Sequence, residues 1–369
     1  MKFLRLAFYV LIAQLVLSGC AGEAVEETSS SSSSEITFDA YVGRNASTRL
    51  GINDLDSLQS NNRWNSGFGV FARYNNIHLM DDEHVFWQGD HWGYEHTRYW
   101  PSEGSVDFYA FAPWIPSRIL ENKPGSNDPN QTYLDFPSTQ SPVDLLWANA
   151  EKQTKDSISS TNGKVKFQFK HATARLGLDI TANKELEKNG AVITVKEVNL
   201  FGHGINDYVG VFDMEGFLNL KTGEWHVVTD KKTRWYYAWT PTGKVGNGNE
   251  EKYDPTKGTV LKLSASQLDH TTHIITNDRN SYIFIIPQTK NEPFYLKITY
   301  TVKQGDFVEE VTVRKNLLDV LRPGVSNPSF TFVGGKAYVF HLKLLDPINF
   351  NVSVDDDGKW DVVKPEITI

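Results

Sequence analysis

The stretch ITFDAYV at residues 36–42 decides the fold class of this chain. Every second residue from Ile36 to Val42 is apolar, and the residues between them are polar or amphipathic. Successive side chains of a β-strand point to opposite faces. The alternation therefore predicts a strand with one face toward a core and the other toward solvent.

Similar short stretches recur along the rest of the chain, rich in β-branched or aromatic residues and bounded by Gly, Pro, Asn or Asp. Strands are predicted at residues 68–74, 106–112, 164–169, 174–180, 191–201, 282–286, 294–302, 307–313, 337–345 and 348–354. Residues 317–321 and 264–268 have the composition of brief helical turns. Closely spaced strands without a long amphipathic helix predict an all-β fold of antiparallel sandwiches.

The length of the chain favours two domains. A single core usually stops growing near ~250 residues, and this chain has 369. The polar stretch TANKELEKNG at residues 181–190 contains the Asn-Gly pair typical of a turn. We place the division there, which gives an N-terminal domain at 36–185 and a C-terminal domain at 186–369. The two halves share no obvious repeat.

The composition excludes several classes of protein. The chain has 45 acidic and 37 basic side chains, a formal charge of -8, which gives no electrostatic reason to bind nucleic acid. A single cysteine cannot close an intrachain disulfide or build a thiolate zinc site. With 40% hydrophobic and 12% aromatic residues, the chain can form a sizeable core.

Residues 1–19 have the pattern of a secretory signal peptide. Lys2 and Arg5 precede an apolar run that is shorter than the ~20 residues needed to span a bilayer. The leader ends in LSGC at 17–20, which resembles the lipobox of bacterial lipoproteins. The resemblance implies that Cys20 is acylated and becomes the mature N-terminus. The alternative is an ordinary signal peptide with a chance cysteine at its cleavage site.

Residues 20–35 are predicted to be a flexible linker, because acidic residues and a serine tract at 29–34 lack any apolar periodicity. Acidic residues this close to the cysteine are similar to the export signal of surface lipoproteins in Bacteroidota-type bacteria. The resemblance implies a surface-exposed location on the outer membrane, with the lipid on Cys20 as the anchor. Two or more acyl chains hold stably to a membrane.

The sequence does not favour a metal site, a cofactor or an enzyme. His78, His84, His91 and His96 lie near acidic residues, but their spacing matches no HExxH or zinc-finger pattern, so surface and loop histidines are expected. The DDDG stretch at 355–358 is expected to be a hairpin turn and not a calcium loop. There is no GxSxG or SxxK motif and no Gly-rich phosphate loop.

Large aromatic residues crowd the region from Trp64 to Trp114. Exposed rings of this kind stack on sugars in lectin-like modules, whereas buried rings fill the core of an all-β protein. One hypothesis for the chain is therefore a cell-surface glycan-binding lipoprotein that captures polysaccharide for a neighbouring transporter.

Several strings occur in the order found in fimbrillin-like lipoproteins. They are YWP at 99–101, VDFYAFAP at 106–113, Gln140 with DLLWA at 144–148, FQFKHA at 167–172 before ARL at 174–176, the strand at 195–201, GFLNL at 216–220 and GEW at 223–225. Each string alone is weak, but their ordered combination behind a lipobox is fairly specific. The chain therefore resembles the fimbrillin family over most of its mature length.

This resemblance implies a pilus subunit or adhesin built of two tandem transthyretin-like antiparallel β-sandwich domains. Family members are cut by an Arg-specific protease after the first strand, and a strand from another subunit then fills the vacated groove. Arg49 looks closer to the family's Thr-Arg position, with Arg44 as the second candidate, and both arginines could equally stay uncut. The fimbrium is the expected destination of an assembled subunit.

Two further features follow from the same resemblance. The alternating stretch at 348–354 and the segment at 360–369 are candidate donor strands, although 348–354 could equally be a closing hairpin of the second domain. O-glycosylation is expected in Asp-Ser-apolar contexts, which occur at Ser57 and Ser157. Either serine could instead be an unmodified loop residue.

Overall fold

The computed structural model of the chain describes residues 34–42, 58–60, 66–114, 119–120, 133–137, 144–182, 190–202, 212–213, 215–228, 232–233, 235–240, 260–262, 267–268, 274–275, 283–346 and 349–355. All the described strands lie within the unit Glu35–Ile369.

The strands, numbered along the chain, are β1 (Thr37–Val42), β2 (Phe68–Tyr74), β3 (Ile77–Trp87), β4 (Trp92–Gly93), β5 (Val106–Ala112), β6 (Ile119–Leu120), β7 (Tyr133–Pro137), β8 (Leu146–Gln153), β9 (Lys164–His171), β10 (Ala174–Ala182), β11 (Val192–Gly202), β12 (Phe212–Asp213), β13 (Glu215–Asn219), β14 (Trp225–Val227), β15 (Lys232–Thr233), β16 (Trp235–Thr240), β17 (Val260–Lys262), β18 (Gln267–Leu268), β19 (Ile274–Ile275), β20 (Ile283–Ile285), β21 (Gln288–Lys290), β22 (Phe294–Gln304), β23 (Phe307–Asn316), β24 (Phe330–Phe332), β25 (Ala337–Asp346) and β26 (Asn349–Asp355). A 3₁₀ turn at Ser159–Thr161 and the helix α1 (Leu317–Leu321) complete the described elements.

The all-β prediction is confirmed. Helix α1 is one of the two predicted helical turns, and the Asn316 side chain caps it by accepting a hydrogen bond from the Leu318 amide at 3.1 Å. The other prediction is wrong for Gln267 and Leu268, which form β18 and pair with β11. Pairing with a long neighbouring strand overrides the weak local preference of so short a segment. Within the described part, no helix is long and apolar enough to cross a membrane.

Seven strands of the N-terminal part close into a barrel in the order β1-β4-β3-β2-β5-β8-β9. Its inward side chains form a buried core that includes Phe38, Phe68, Phe108 and Phe167. Most neighbours in the barrel pair antiparallel, whereas β1 and β9 run parallel. Closure gives each of these strands a paired neighbour on both sides, although β1 meets β4 at one position alone.

Strand β5 is buried on both faces, which explains its nearly continuous apolar sequence. Phe108 and Ala110 point into the barrel core, whereas Tyr109 and Phe111 point outward. The outward side chains pack with Leu218 and other residues of the later part of the chain in a third apolar cluster. This cluster joins the barrel to the strands that follow it.

The second large core lies between two sheets formed by the C-terminal half of the chain. One has the order β19-β10-β25-β26, with β20 also paired to β10, and the other has the order β17-β16-β11-β22-β23, with β18 paired to β11. Ala174 and Leu176 of β10 already belong to this core. The chain thus enters the second core before it reaches 181–190, and the domain division there stays a prediction.

Candidate functional site

Strand β1 is held in the barrel mainly by one neighbour. It pairs parallel with β9 from Thr37 opposite Lys164 to Val42 opposite Phe169. On its other side it pairs antiparallel with β4, at Phe38 opposite Trp92. The first described strand of the chain is therefore also the strand that closes the barrel.

The inner face of β1 is buried at Phe38 and Ala40 and half-buried at Val42. Ile36, Phe38 and Ala40 are 0–1% exposed, as their alternation predicts. The Phe38 ring stacks on Phe167 with centroids 5.7 Å apart and meets Phe108 edge-on at 5.9 Å. We call the groove that β1 fills, with Phe108 and Phe167 beneath Phe38, the β1 slot.

Polar contacts fix the start of β1. The Ile36 amide donates to the Arg98 carbonyl at 2.8 Å, and the Tyr94 hydroxyl donates to the Ile36 carbonyl at 2.7 Å. Burial raises the pKa of Tyr94 to about 12, so its hydroxyl remains a donor at physiological pH. Further along, the Thr37 hydroxyl donates to the Gly163 carbonyl at 3.2 Å. These bonds set the register of the strand at its N-terminal end.

The outer face of β1 is open to solvent. Tyr41 is 44% exposed, and its hydroxyl donates to Asp39 at 3.0 Å. The Lys166 ammonium of β9 lies 5.5 Å from the centre of the Tyr41 ring. The two faces of β1 thus differ as a half-buried strand requires, and the apolar side chains alone occupy the slot.

A second concave feature lies on the outside of the barrel, where β3 meets the residues after β5. It is a cavity of about 530 Å³, and we call it the Trp114 cavity. Its lining consists of Asp81, Asp82, Glu83, His84, Phe86, Glu95, His96 and Trp114. The His84 and Trp114 rings stack nearly parallel, at 8° and a centroid distance of 3.9 Å, and form an aromatic wall.

Asp82 enters this cavity through an irregularity in β3. The register between β2 and β3 shifts between Val70 and Ala72, and Asp82 adopts a left-handed backbone with φ of 51°. Its Oδ1 accepts a hydrogen bond from the Trp114 indole Nε1 at 3.0 Å. Gly69 makes room for the Phe111 ring and for Asp82, because a Cβ there would lie 2.2 Å from the ring and 2.8 Å from Asp82 Oδ1.

Burial raises the pKa of Asp82 to about 7, and the nearby charges of Glu83 and Asp81 act in the same direction. The bond from Trp114 opposes this rise but does not cancel it. In the sequence, Asp82 stands between His78 and His84 and Trp114 stands among the aromatics, and no pattern links the two. The signal that joins them is the bulge, which hydrophobic periodicity does not reveal.

The four histidines of this region have separate partners. His78 pairs with Asp81 at 3.0 Å, and His91 with Asp90 at 2.6 Å. The remaining two, His84 and His96, contact the Ser66 carbonyl at 3.0 Å and Glu83 at 3.1 Å. Within the described ranges, no three His, Cys, Asp or Glu side chains come together in a way that could hold a metal ion.

Most of the large aromatics of the 64–114 region belong to the fold. Trp92 and Trp100 are 4% exposed and pack in the barrel core. Tyr99 is 53% exposed and Trp114 is half-buried, whereas Trp64 lies outside the described residues. A stacking platform for glycans would therefore lack the two buried indoles and would have to use Tyr99 with the half-buried rings of the region, which are Phe86, Trp87, Tyr94 and Trp114.

Of the candidate modification and cleavage sites, Ser157 lies in the described part, whereas Cys20, Arg44, Arg49 and Ser57 lie outside it. Ser157 is exposed in a turn. Its hydroxyl donates to the Thr154 carbonyl at 2.9 Å and accepts from the Thr154 amide at 2.8 Å. Glycosylation at Ser157 stays a prediction.

The candidate donor stretch at 348–354 contributes to β26, which pairs antiparallel with β25. This is the closing hairpin that the sequence allowed as one of two outcomes. Strand β26 lies at the edge of its sheet. The segment at 360–369 and the turn residues at 356–358 lie outside the described residues.

Three of the family strings, DLLWA, FQFKHA and GEW, contact one another where the barrel meets the second core. Asp144, in the DLLWA string, is fully buried, and its Oδ1 lies 2.9 Å from Nδ1 of His171, in the FQFKHA string. The Ala172 amide donates to the Leu145 carbonyl at 2.7 Å, and the Ala172 carbonyl accepts from the Trp225 indole at 2.8 Å. These strings thus mark packing at a junction.

Comparison with known proteins agrees with this architecture. A family model described as fimbrillin-like matches residues 59–357. The chain is 21% identical to the fimbrium subunit Fim1C of Phocaeicola vulgatus over 397 aligned residues, which cover 98% of each chain. Its fold is similar to a crystal structure of a fimbrial protein from Bacteroides vulgatus, with a TM-score of 0.59 and 16% identity over 88% of this chain and 99% of that one.

The family match spans most of the chain, beginning after β1 and covering the other barrel strands and the second core. It also accounts for the order of the strings that the sequence displays. The family consists of structural proteins of fimbriae and cell adhesion and not of enzymes. This chain belongs to the fimbrillin-like family.

Proposed function

We propose that this protein is a fimbrial subunit that polymerises after its first strand is removed. In this proposal an Arg-specific protease cuts at Arg49, or at Arg44, and β1 leaves the barrel. A strand from another subunit then fills the β1 slot. The observation that carries the proposal is the burial of Phe38 and Ala40 on the apolar face of β1, a short strand near the start of the described fold.

Removal of β1 would leave two kinds of unsatisfied surface. The main-chain groups of β9 that pair with β1 along its length would lose their partners. The rings beneath Phe38 would face water, and burial of one large apolar side chain is worth about 1.5–3 kcal/mol. An incoming strand with the same alternation regains the hydrogen bonds and the apolar burial together.

The proposed anchor is the lipid on Cys20, which would hold the precursor at the outer membrane facing outward. The linker at 20–35 would separate the lipid from β1. The structure describes the chain before β1 from Ser34 onward. Cleavage after β1 would release the rest of the chain from this anchor. Trimming would thus open the slot and free the subunit in one step.

The proposed donor is the segment at 360–369. Strand β26 is already paired with β25, so its donation would require that the closing hairpin open. This subunit could form the stalk, the anchor or the tip of a fimbrium. Its position would depend on which partner fills its β1 slot and which partner accepts its donor strand.

The test is to treat the purified precursor with an Arg-specific protease. N-terminal sequencing should show a new terminus after Arg49 or Arg44, and size-exclusion chromatography should show polymers that grow with protein concentration. The matched controls are Arg49→Lys and Arg44→Lys, since lysine keeps the charge but is not a substrate for the protease. The variant at the true site should stay untrimmed and monomeric.

A synthetic peptide with the sequence of residues 36–42 provides a second control. Added in excess to the trimmed protein, it should occupy the β1 slot and suppress polymer growth. A chain that is trimmed after β1 and yet stays monomeric at every concentration would contradict the proposal.

A further inference from the structure

The Trp114 cavity is lined by more acidic side chains than the neighbouring cationic groups neutralise. Four carboxylates line it, and no lysine or arginine does. Two of the four are held in ion pairs, Asp81 with Arg73 at 2.7 Å and Glu83 with a histidine at 3.1 Å. In the described ranges, the carboxylates of Asp82 and Glu95 have no cationic partner.

The aromatic wall of the cavity favours a positive charge as well. The faces of indole rings carry negative potential, which attracts ammonium and guanidinium groups. Trp114 is fixed in place from two sides, by its stack on His84 at 3.9 Å and by its hydrogen bond to Asp82 at 3.0 Å. Phe86 lies beside this pair, 5.4 Å from the His84 ring, and adds apolar surface.

The size and composition of the cavity exclude a bare metal ion and fit a larger occupant. Its volume of about 530 Å³ lies in the range of small-molecule sites, roughly 300–1,000 Å³. A bare metal ion needs several ligands in one place, and the described side chains form no such group. An occupant must therefore combine positive charge with apolar surface.

We propose that the Trp114 cavity binds an organic cation, an ammonium or guanidinium group carried on an apolar stem. Asp82 and Glu95 neutralise the charged head, and Trp114 and Phe86 contact the stem. The same chemistry occurs in a free amine and in a lysine or arginine side chain of another protein. The site is separate from the β1 slot, and binding here does not depend on polymerisation.

The test is isothermal titration calorimetry of the purified chain with agmatine, which carries a guanidinium group and an ammonium group on a four-carbon stem. We expect saturable binding at pH 8. N-butylurea, an uncharged compound of similar shape, should bind at least about tenfold more weakly. A peptide with a single arginine and blocked ends distinguishes the two sources, because tighter binding of the peptide than of agmatine indicates a protein side chain.

Two variants locate the binding site. Asp82→Asn keeps an acceptor for the Trp114 indole but removes the charge, and it should weaken agmatine binding at least about tenfold. Asp90→Asn is the matched control, because this carboxylate is 88% exposed, pairs with His91 and lies outside the cavity lining. It should bind agmatine within about twofold of the unchanged chain.

Three results would overturn the assignment. The first is the absence of saturable binding for both agmatine and the arginine peptide. The second is equal binding by the unchanged chain and Asp82→Asn, which would place any binding elsewhere. The third is equal saturable binding of calcium chloride alone, lost in Asp82→Asn, which would identify a metal site.

Discussion

Asp82 carries its charge at a cost to folding. In the unfolded chain its carboxyl ionises near the ordinary value of 3.8, whereas in the fold its pKa is about 7. Between these values the folded state binds the proton more tightly, so stability falls as pH rises from about 4 to 7. Above pH 7 the full cost of a buried charge is present. A residue kept at such a cost is typical of a binding position.

We therefore expect Asp82→Asn to raise the free energy of unfolding at pH 8 by about 1–2 kcal/mol, once the shift is discounted for partial exposure. At pH 4 the gain should be close to zero, because the folded-state carboxyl is already neutral. Urea denaturation of both proteins at the two pH values measures this. The pKa of Asp90 is lowered by its hydrogen bond from His91, so Asp90→Asn should show no gain at pH 8. An equal gain for Asp82→Asn at both pH values would contradict the assignment.

The two faces of strand β1 have different roles. Phe38 is 1% exposed and fills the slot, whereas Tyr41, three residues later, is 44% exposed. The buried face determines the stability of barrel closure. The exposed face contributes solubility and contacts to β9.

Phe38→Ala should lower the free energy of unfolding by about 3–5 kcal/mol, since it empties the slot beneath two other rings. Tyr41→Ala on the same strand should change it by less than about 1 kcal/mol. Thermal or urea unfolding followed by near-ultraviolet circular dichroism compares the two variants. Similar losses for both would show that β1 is not held by its inner face.

The sequence predicts elements well where alternation is clean. Strands β2 and β5 and helix α1 have the predicted bounds, and the other strands that were predicted differ at their ends by a few residues. Strand β3 was not predicted, because its central DDEH run at 81–84 interrupts the apolar alternation and a bulge shifts its register. The clean alternation of β1 likewise predicts which of its side chains are buried. No such pattern predicts the Trp114 cavity. A cavity requires knowledge of which distant residues meet.

At the scale of the whole molecule, two large cores share one small cluster. Barrel residues such as Phe111 meet Leu218 and Ile286 there, outside both large cores. So small a shared interface should allow the barrel to loosen while the second core remains folded. The two-domain prediction thus implies that the barrel and the second core unfold separately.

Hydrogen exchange measures this cooperativity. In a chain trimmed after β1, amides of β2 and β5 should exchange at least about tenfold faster than in the intact chain. Amides of β11 and β22 in the second core should change by less than about twofold. Addition of the peptide with the sequence 36–42 should restore protection in the barrel. An equal increase in both cores would mean that the chain unfolds as one cooperative unit.

The parallel pair of β1 and β9 also determines the order in which the barrel folds. The hydrogen bond from Thr37 to Gly163 joins residues 126 positions apart in the chain, so the loop-closure entropy of this contact is large. The antiparallel strands from β2 to β9 pair mostly with near neighbours in sequence. We therefore expect the first strand to leave the ribosome to be the last to dock. Until β9 has been made, the nascent chain offers β1 only the single pairing of Phe38 with Trp92 of β4 and the hydrogen bonds of Ile36.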